Sequence, residues 1–419
     1  MRKLLAPEVV QTSALDCGPA ALKCLLEGFG INVSYGRLRE ACQTGLDGTS
    51  IDTMELVANQ LGLEAEQIML PADHLLLPEA KALPAIVVIT LANGLTHFVV
   101  VWQRYGSMLQ VMDPGVGRRW VSCRQFRSEI YNHGMPVESA DWREFASSEN
   151  FRLALEARLQ GVGIGKAERR GAIELAAAAE DWRPLAALDA ATRLLDSLAQ
   201  AGGLPAGRGR YELLKRLCAK PDLIPARYWS AVPLPTDLDN GAQLLMRGAV
   251  LVRVKNKRVR IVREELTPEL TGAIDGPRES PAREWLRALA QTGVLSSGSL
   301  LLALIAAAGG VLIEALLFRG LLDINSELSL TGQRMGAAAA LLLFSLAMLL
   351  LEAPSFATGL RLGRQLENRL RILFLEKIPK LGDRYFQSRL ISDMAERSHA
   401  IHRLRQSPDQ LRQLLSALF

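Results

Sequence analysis

Cysteine is scarce in these 419 residues: Cys17, Cys24, Cys42, Cys123 and Cys218 are an odd five, with no Cys-x-x-Cys pair among them. A disulfide framework, a zinc ribbon and a dithiol redox site therefore have no ligand or partner set. Charge of one sign is also lacking. Lys and Arg number 49 against 44 Asp and Glu, a net +5 spread along the chain. That is not the concentrated positive surface of a dedicated nucleic-acid binder, so nucleic acid is not expected as a partner. The N-terminus does not read as a secretory signal, because Pro7 and Glu8 interrupt it before any sustained apolar run. The first third is expected to stay in a reducing cytoplasm. A phosphate-binding loop is missing too. Gly161-Val162-Gly163-Ile164-Gly165-Lys166-Ala167 imitates one, but Gln160 stands where the first glycine belongs and Ala167 has no hydroxyl for magnesium. It reads as a flexible linker.

What the chain does have is an uneven distribution of apolar residues. They make up 49 % of the sequence, and the surplus collects towards the C-terminal third. The length suggests about two to three domains, and the composition divides the chain into residues 1–140, 141–290 and 291–419. In the first, Gly18 to Gly28 reads as a buried helix opened by Pro19, and Thr53 to Leu61 as another. Ala85–Ile89 and Phe98–Trp102 are β-branched runs around a turn at Asn93-Gly94, and Leu109–Asp113 is a third strand ended by Pro114-Gly115. This part is α+β. Residues 141–290 are Ala-, Leu- and Arg-rich, with helices around 173–180 and 184–200. They also hold a small β patch, 249–254 and 259–262, turned at Lys255-Asn256-Lys257-Arg258. No catalytic cluster occurs there.

Two apolar stretches, 294–318 and 335–353, are each long enough to cross a hydrocarbon core of about 30 Å. Basic residues flank the pair, with Arg278, Arg283 and Arg287 before it and Arg361, Arg364, Arg369, Arg371, Lys377 and Lys380 after it. The connecting loop has only Arg319 and Arg334. By charge asymmetry both long flanks are cytoplasmic. The alternative is a pair of apolar helices at the centre of a soluble bundle. Glu314, near the end of the first stretch, is read as structural.

A thiol becomes a nucleophile when its anion is stabilised and a base is within reach. Cys17 sits at the mouth of the first helix, where unpaired N–H groups favour negative charge, while Asp16 beside it works in the opposite direction. The alternative for Cys17 is a small buried apolar side chain, a reading that suits Cys24, Cys42, Cys123 and Cys218. Of the five histidines, His97 stands out because it opens an apolar strand, although a strand-start His can equally be a capping residue. His74 and His133 lie in loop-like surroundings, and His399 and His402 follow the apolar stretches. Asp113, at the end of the next strand, is placed to fix the imidazole tautomer, with turn chemistry as its alternative. Gln11 can aim an amide N–H at a developing oxyanion beside the Cys17 backbone N–H.

The run Gln11-Thr12-Ser13-Ala14-Leu15-Asp16-Cys17-Gly18-Pro19-Ala20-Ala21-Leu22, then His97-Phe98-Val99-Val100-Val101 and Asp113-Pro114, resembles the bacteriocin-processing cysteine peptidase domain found at the N-terminus of ABC exporters. The resemblance covers about the first 130 residues. It implies a papain-like fold with Cys17 as nucleophile, His97 as base, Asp113 as its orienter and Gln11 as oxyanion donor. It also implies cleavage of a leader peptide after a double-glycine motif in the cytoplasm, followed by export of the mature peptide. A weaker resemblance is carried by Gly382-Asp383-Arg384-Tyr385-Phe386-Gln387-Ser388-Arg389 with Asp393-Met394, Arg397 and His399. It is to the first intracellular loop of an ABC exporter membrane domain.

The expected architecture is a papain-like domain, a mostly helical region with a small β patch, and an all-α transmembrane part. Such exporters usually have six spans and an ATPase, whereas this sequence stops at Phe419 after two. It is expected to be a truncated piece, a split subunit or a remnant, with no cofactor of its own and with ATP and magnesium entering only through a nucleotide-binding domain elsewhere. The expected partners are a leader-bearing precursor, an ATP-binding cassette subunit or the missing C-terminal part, a second copy as in dimeric exporters, and the bacterial inner membrane. Two other functions compete: a non-proteolytic leader-docking module, and acyl transfer to an amine.

Overall fold

The computed structural model describes residues 2–203, 208–234, 243–258, 266–276 and 331–403 apart from 382, with isolated positions at 309–320 and 410. The chain divides into two compact units, Met1–Arg278 and Glu279–Phe419.

The first unit is built on one antiparallel sheet. Helices α1 (Cys17–Gly28), α2 (Tyr35–Ala41) and α3 (Ile51–Gln60) lead into β1 (Leu63–Leu70), then β2 (Ala85–Thr90), β3 (Thr96–Tyr105), β4 (Met108–Asp113) and β5 (Gly117–Ser122). The β2–β3 hairpin turns at Asn93-Gly94 as the sequence indicates. Asn93 Oδ1 accepts from Leu95 N–H, and Gly94 has φ +81°, a conformation cheap only for glycine. Helix α1 turns its apolar face onto the sheet, where Leu22, Leu25 and Leu26 pack with Val100 and Trp102. A Cβ on Gly28 would stand 2.1 Å from the Trp102 ring, so this closing glycine lets the helix end meet the indole. The opposite face buries Val87, Val99, Val101, Val111 and Phe126 in a second cluster.

After α4 (Cys123–Glu129) come β6 (His133–Glu138) and the helices α5 (Ser139–Ser147), α6 (Glu149–Gly161), α7 (Lys166–Ala178), α8 (Arg183–Gln200) and α9 (Arg208–Ala219). The short β7 (Ala231–Pro233), β8 (Gln243–Lys257) and α10 (Pro268–Asp275) follow. The helices share a core around Trp142, Phe151, Trp182 and Leu195. Strand β8 corrects the expectation of a separate β patch. Residues 255–257 continue the strand instead of turning, and 259–262 lie outside the described residues. Its first half pairs with β6 and β7, while its second half lies between β1 and β2, giving the order β1-β8-β2-β3-β4-β5. Leu251 and Val252, both fully buried, project into the clusters on opposite faces of the sheet. Residues 141–278 thus belong to the same unit as the first 140.

A buried ionic cluster fastens the helices to the β1–β2 connection. Arg193 grips Asp73 with two hydrogen bonds of 3.0 and 3.1 Å, and Asp189 accepts from Arg193 and from Ser230 Oγ. Arg158 reaches Asp73, Asp189 and His74, so His74 is fully buried rather than in an open loop. The glycine-rich 161–167 is likewise no flexible linker. It is a tight connection between α6 and α7 that buries Ile164, with Glu168 Oε2 accepting from the Gly165 N–H.

In the second unit the principal element is the helix Thr331–Lys377, followed by Asp383–Gln387 and Ile391–Arg403. Arg397 donates to the Tyr385 hydroxyl, and Glu367 accepts from His402 and Arg371. Among the described residues, no helix is both long and apolar enough to cross a membrane. The stretch 294–318 falls almost entirely outside those residues, and 335–353 is part of Thr331–Lys377.

Candidate active site

Cys17 is the first residue of α1, partly exposed at the helix mouth. His97 enters from the start of β3 and Asp113 from the end of β4, adjacent strands whose pairing brings the two side chains together. His97 Nε2 lies 2.8 Å from Asp113 Oδ1, and the His97 ring also hydrogen-bonds the Cys17 side chain. With Nε2 taken by the carboxylate, Nδ1 is the nitrogen left for the thiol. Burial draws the His97 imidazole down, but the Asp113 and Cys17 hydrogen bonds and their negative charge outweigh it and lift His97 to about 9. Asp113 is mostly buried, which favours its acid form. The His97 hydrogen bond, the Gly115 N–H at 2.9 Å and nearby Arg119 together hold it below the usual carboxylate range. A Cβ on Gly115 would sit 3.3 Å from Asp113 Oδ1, so the turn glycine keeps the carboxylate closely wrapped.

Gln11 joins this group through its backbone. Its N–H donates to the Pro114 carbonyl at 2.8 Å, directly after Asp113, and its Oε1 is buried with no partner among the described residues. No contact between its side chain and Cys17 is among the described interactions. Three of the other thiols are of a different kind. Burial pushes Cys24 far up, Cys42 to about 12 and Cys218 to about 11, which suits inert apolar residues rather than nucleophiles.

Asp16, which precedes Cys17, has partners of its own. It is fully buried, with Oδ1 2.6 Å from Arg39 Nε and Oδ2 accepting from Thr12 Oγ1 at 2.9 Å. The guanidinium compensates its charge, and because both oxygens are engaged the carboxylate does not cap α1. The first-turn N–H groups of the helix keep their pull on an anion. A cleft of about 590 Å³ is lined by Thr96 and Phe98, which flank His97 along β3, with Met69 of β1, Val88 of β2, Val250 of β8 and Met135 of β6.

Residues 6–135 match the Peptidase C39 family. The chain carries an N-terminal Peptidase C39 domain. Similar proteins include the pediocin PA-1 transport/processing ATP-binding protein PedD of Pediococcus acidilactici, 33% identical over 28% of this chain and 17% of the relative. The lactococcin-G-processing and transport ATP-binding protein LagD of Lactococcus lactis subsp. lactis is 29% identical over 29% of this chain and 17% of the relative. The chain thus covers about a sixth of the length of these curated relatives. Among solved structures, a double glycine motif protease from an AMS/PCAT transporter in complex with the leader peptide is 25% identical. It covers 30% of this chain and 85% of that one, with a TM-score of 0.26.

The Peptidase C39 domain contains Gln11, Cys17, His97 and Asp113, but not the whole sheet on which they stand. Strand β8, from beyond the matched residues, separates β1 from β2 and contributes Val250 to the cleft. The sequence reading missed Arg39, Thr12 and Arg119. A buried Arg pairing with a residue 23 positions earlier leaves no local signal. The Arg119 contact with Asp113 could have been anticipated once a hairpin through Pro114-Gly115 was drawn.

Proposed function

We propose that the chain is a papain-like cysteine endopeptidase that removes double-glycine leaders from peptide precursors destined for ABC-type export. The observation that carries this reading is the hydrogen-bonded row Cys17–His97–Asp113 at an uncapped helix N-terminus. The processing-and-transport names of the relatives support it.

In the proposed cycle His97 Nδ1 accepts the Cys17 proton and the sulfur attacks the carbonyl carbon of the second leader glycine. The resulting oxyanion is held by the Cys17 backbone N–H and the Gln11 amide. Asp113 keeps the ring oriented and stabilises the imidazolium. That imidazolium returns its proton to the leaving amine, releasing the mature peptide and leaving a thioester. Water, deprotonated by His97, then attacks the thioester and frees the leader as a carboxylate with Cys17 restored. The apolar cleft lined by Met69, Val88, Phe98 and Val250 would suit apolar side chains of a leader.

The chemistry draws on protein groups and water alone. ATP and magnesium would act through a nucleotide-binding domain from a partner subunit or a longer form of the chain. The apolar stretches at 294–318 and 335–353 would hold the protein in the bacterial inner membrane, with the peptidase unit in the cytoplasm and two copies per exporter. The test is cleavage of a precursor bearing a Gly-Gly leader by the full chain. Release of the leader by wild type and none by Cys17→Ala is expected. Equal cleavage by the alanine variant overturns the reading, and binding without cleavage by wild type would favour a docking module.

A further inference from the structure

The three reacting side chains come from two sides: Cys17 from helix α1, and His97 and Asp113 from strands β3 and β4. One dipeptide is bonded to both. Gln11 N–H donates to the carbonyl of Pro114, next to Asp113 on the strand side. Thr12 Oγ1 donates to Asp16 Oδ2, next to Cys17 on the helix side. Asp16 is itself fixed, with no exposed surface and with Arg39 on its other oxygen. The Thr12 N–H adds a longer bond of 3.3 Å to the Tyr35 hydroxyl of α2.

We propose that Thr12, through Asp16, is a positioning residue that holds Gln11 at a fixed distance from Cys17. This rests on the cysteine-peptidase reading and deepens it by assigning a role outside the four reacting residues. The physical reason is the demand of an oxyanion site. Its donors stabilise the tetrahedral intermediate only if they are in place before the charge forms, and a displacement of about 1 Å can lower the rate about 100-fold. A side-chain amide on a free loop would not hold such a tolerance. Here the loop is tied at the donor residue's own N–H and at the next residue, to groups one residue from the base's carboxylate and from the nucleophile. The same arrangement explains why a carboxylate stands beside a reactive thiol. Asp16 serves as a buried acceptor for Thr12, and Arg39 balances its charge.

The full chain is assayed as wild type, Thr12→Val and Thr12→Ser on a synthetic leader peptide ending in Gly-Gly followed by an aminocoumarin. Alkylation of Cys17 by iodoacetamide is followed in parallel, because that displacement generates no oxyanion. The expectation for Thr12→Val is a kcat lowered roughly 10- to 100-fold with KM and alkylation rate unchanged. Thr12→Ser, which keeps the hydroxyl, should restore kcat. A merely structural Thr12 would lower alkylation and kcat together, with a lower Tm, and that result overturns the proposal. So does a Thr12→Val kcat within twofold of wild type. A wild-type chain that releases no coumarin overturns the peptidase reading and this inference together, whereas an active wild type with an unaffected variant overturns only the second.

Discussion

Cutting the chain after residue 140, where composition changes, is expected to destroy the peptidase unit. Such a fragment keeps all four site residues but loses β8, so β1 and β2 lose the strand that joins them. Leu251, Val252 and Val254 leave the core, and complete burial of such a side chain is worth about 1.5–3 kcal/mol. Together they amount to roughly 5–9 kcal/mol, comparable with the whole stability of an ordinary domain at about 5–15 kcal/mol. Ile86 and Val87 of β2, fully buried in the intact unit, would also face solvent on an open strand edge. The assay is circular dichroism with thermal and urea melts on residues 1–140 and 1–278. The longer fragment should unfold cooperatively and the shorter one should aggregate or show no transition. Leu251→Ala in the longer fragment should cost about 2–5 kcal/mol. A cooperative melt of 1–140 at the temperature of 1–278 would refute the reasoning.

The elevated His97 value sets a pH dependence. Because it is raised in the folded state from 6.5 to about 9, its stabilising contribution is complete below about pH 6.5 and disappears as pH climbs through about 9. The Tm difference between wild type and His97→Gln should therefore shrink over that window, and kcat/KM should fall above about pH 9. An unchanged difference from about pH 6 to about pH 10 would contradict the ion-pair network. Arg39→Met leaves Asp16 buried without its countercharge and should destabilise the unit by about 3–5 kcal/mol in a urea melt, whereas a change below about 1 kcal/mol would show that Asp16 is not a buried anion.

The sequence made legible whatever is written locally. Helix α1 is announced by Pro19 and Gly28, the β2–β3 hairpin by Asn93-Gly94 between β-branched runs, and the end of β4 by Asp113-Pro114. These signals place Cys17, His97 and Asp113 on their elements. Strand β8 was hidden because its partner β1 lies some 180 residues earlier and pairing over that distance leaves no periodic trace. The run Lys255-Asn256-Lys257-Arg258 looked like a turn, yet Lys255 pairs with Glu66 on β1 and the strand continues to Lys257. The helices after residue 139 carried an apolar period, but the cluster that anchors them joins Asp73 and His74 to Arg158, Asp189 and Arg193. Those five charged or titratable residues read as surface groups until the fold buries them.

The central claim is that Cys17, among five thiols, is the one activated for acyl chemistry by His97 and Asp113. Intact-mass and peptide-mapping spectrometry after treatment with a Gly-Gly peptide bearing a vinyl sulfone tests it most directly. A single adduct on Cys17, strongly slowed by His97→Gln, is the predicted result. Labelling spread over Cys17, Cys123 and Cys218, or labelling of Cys17 at the same rate without His97, would contradict the account.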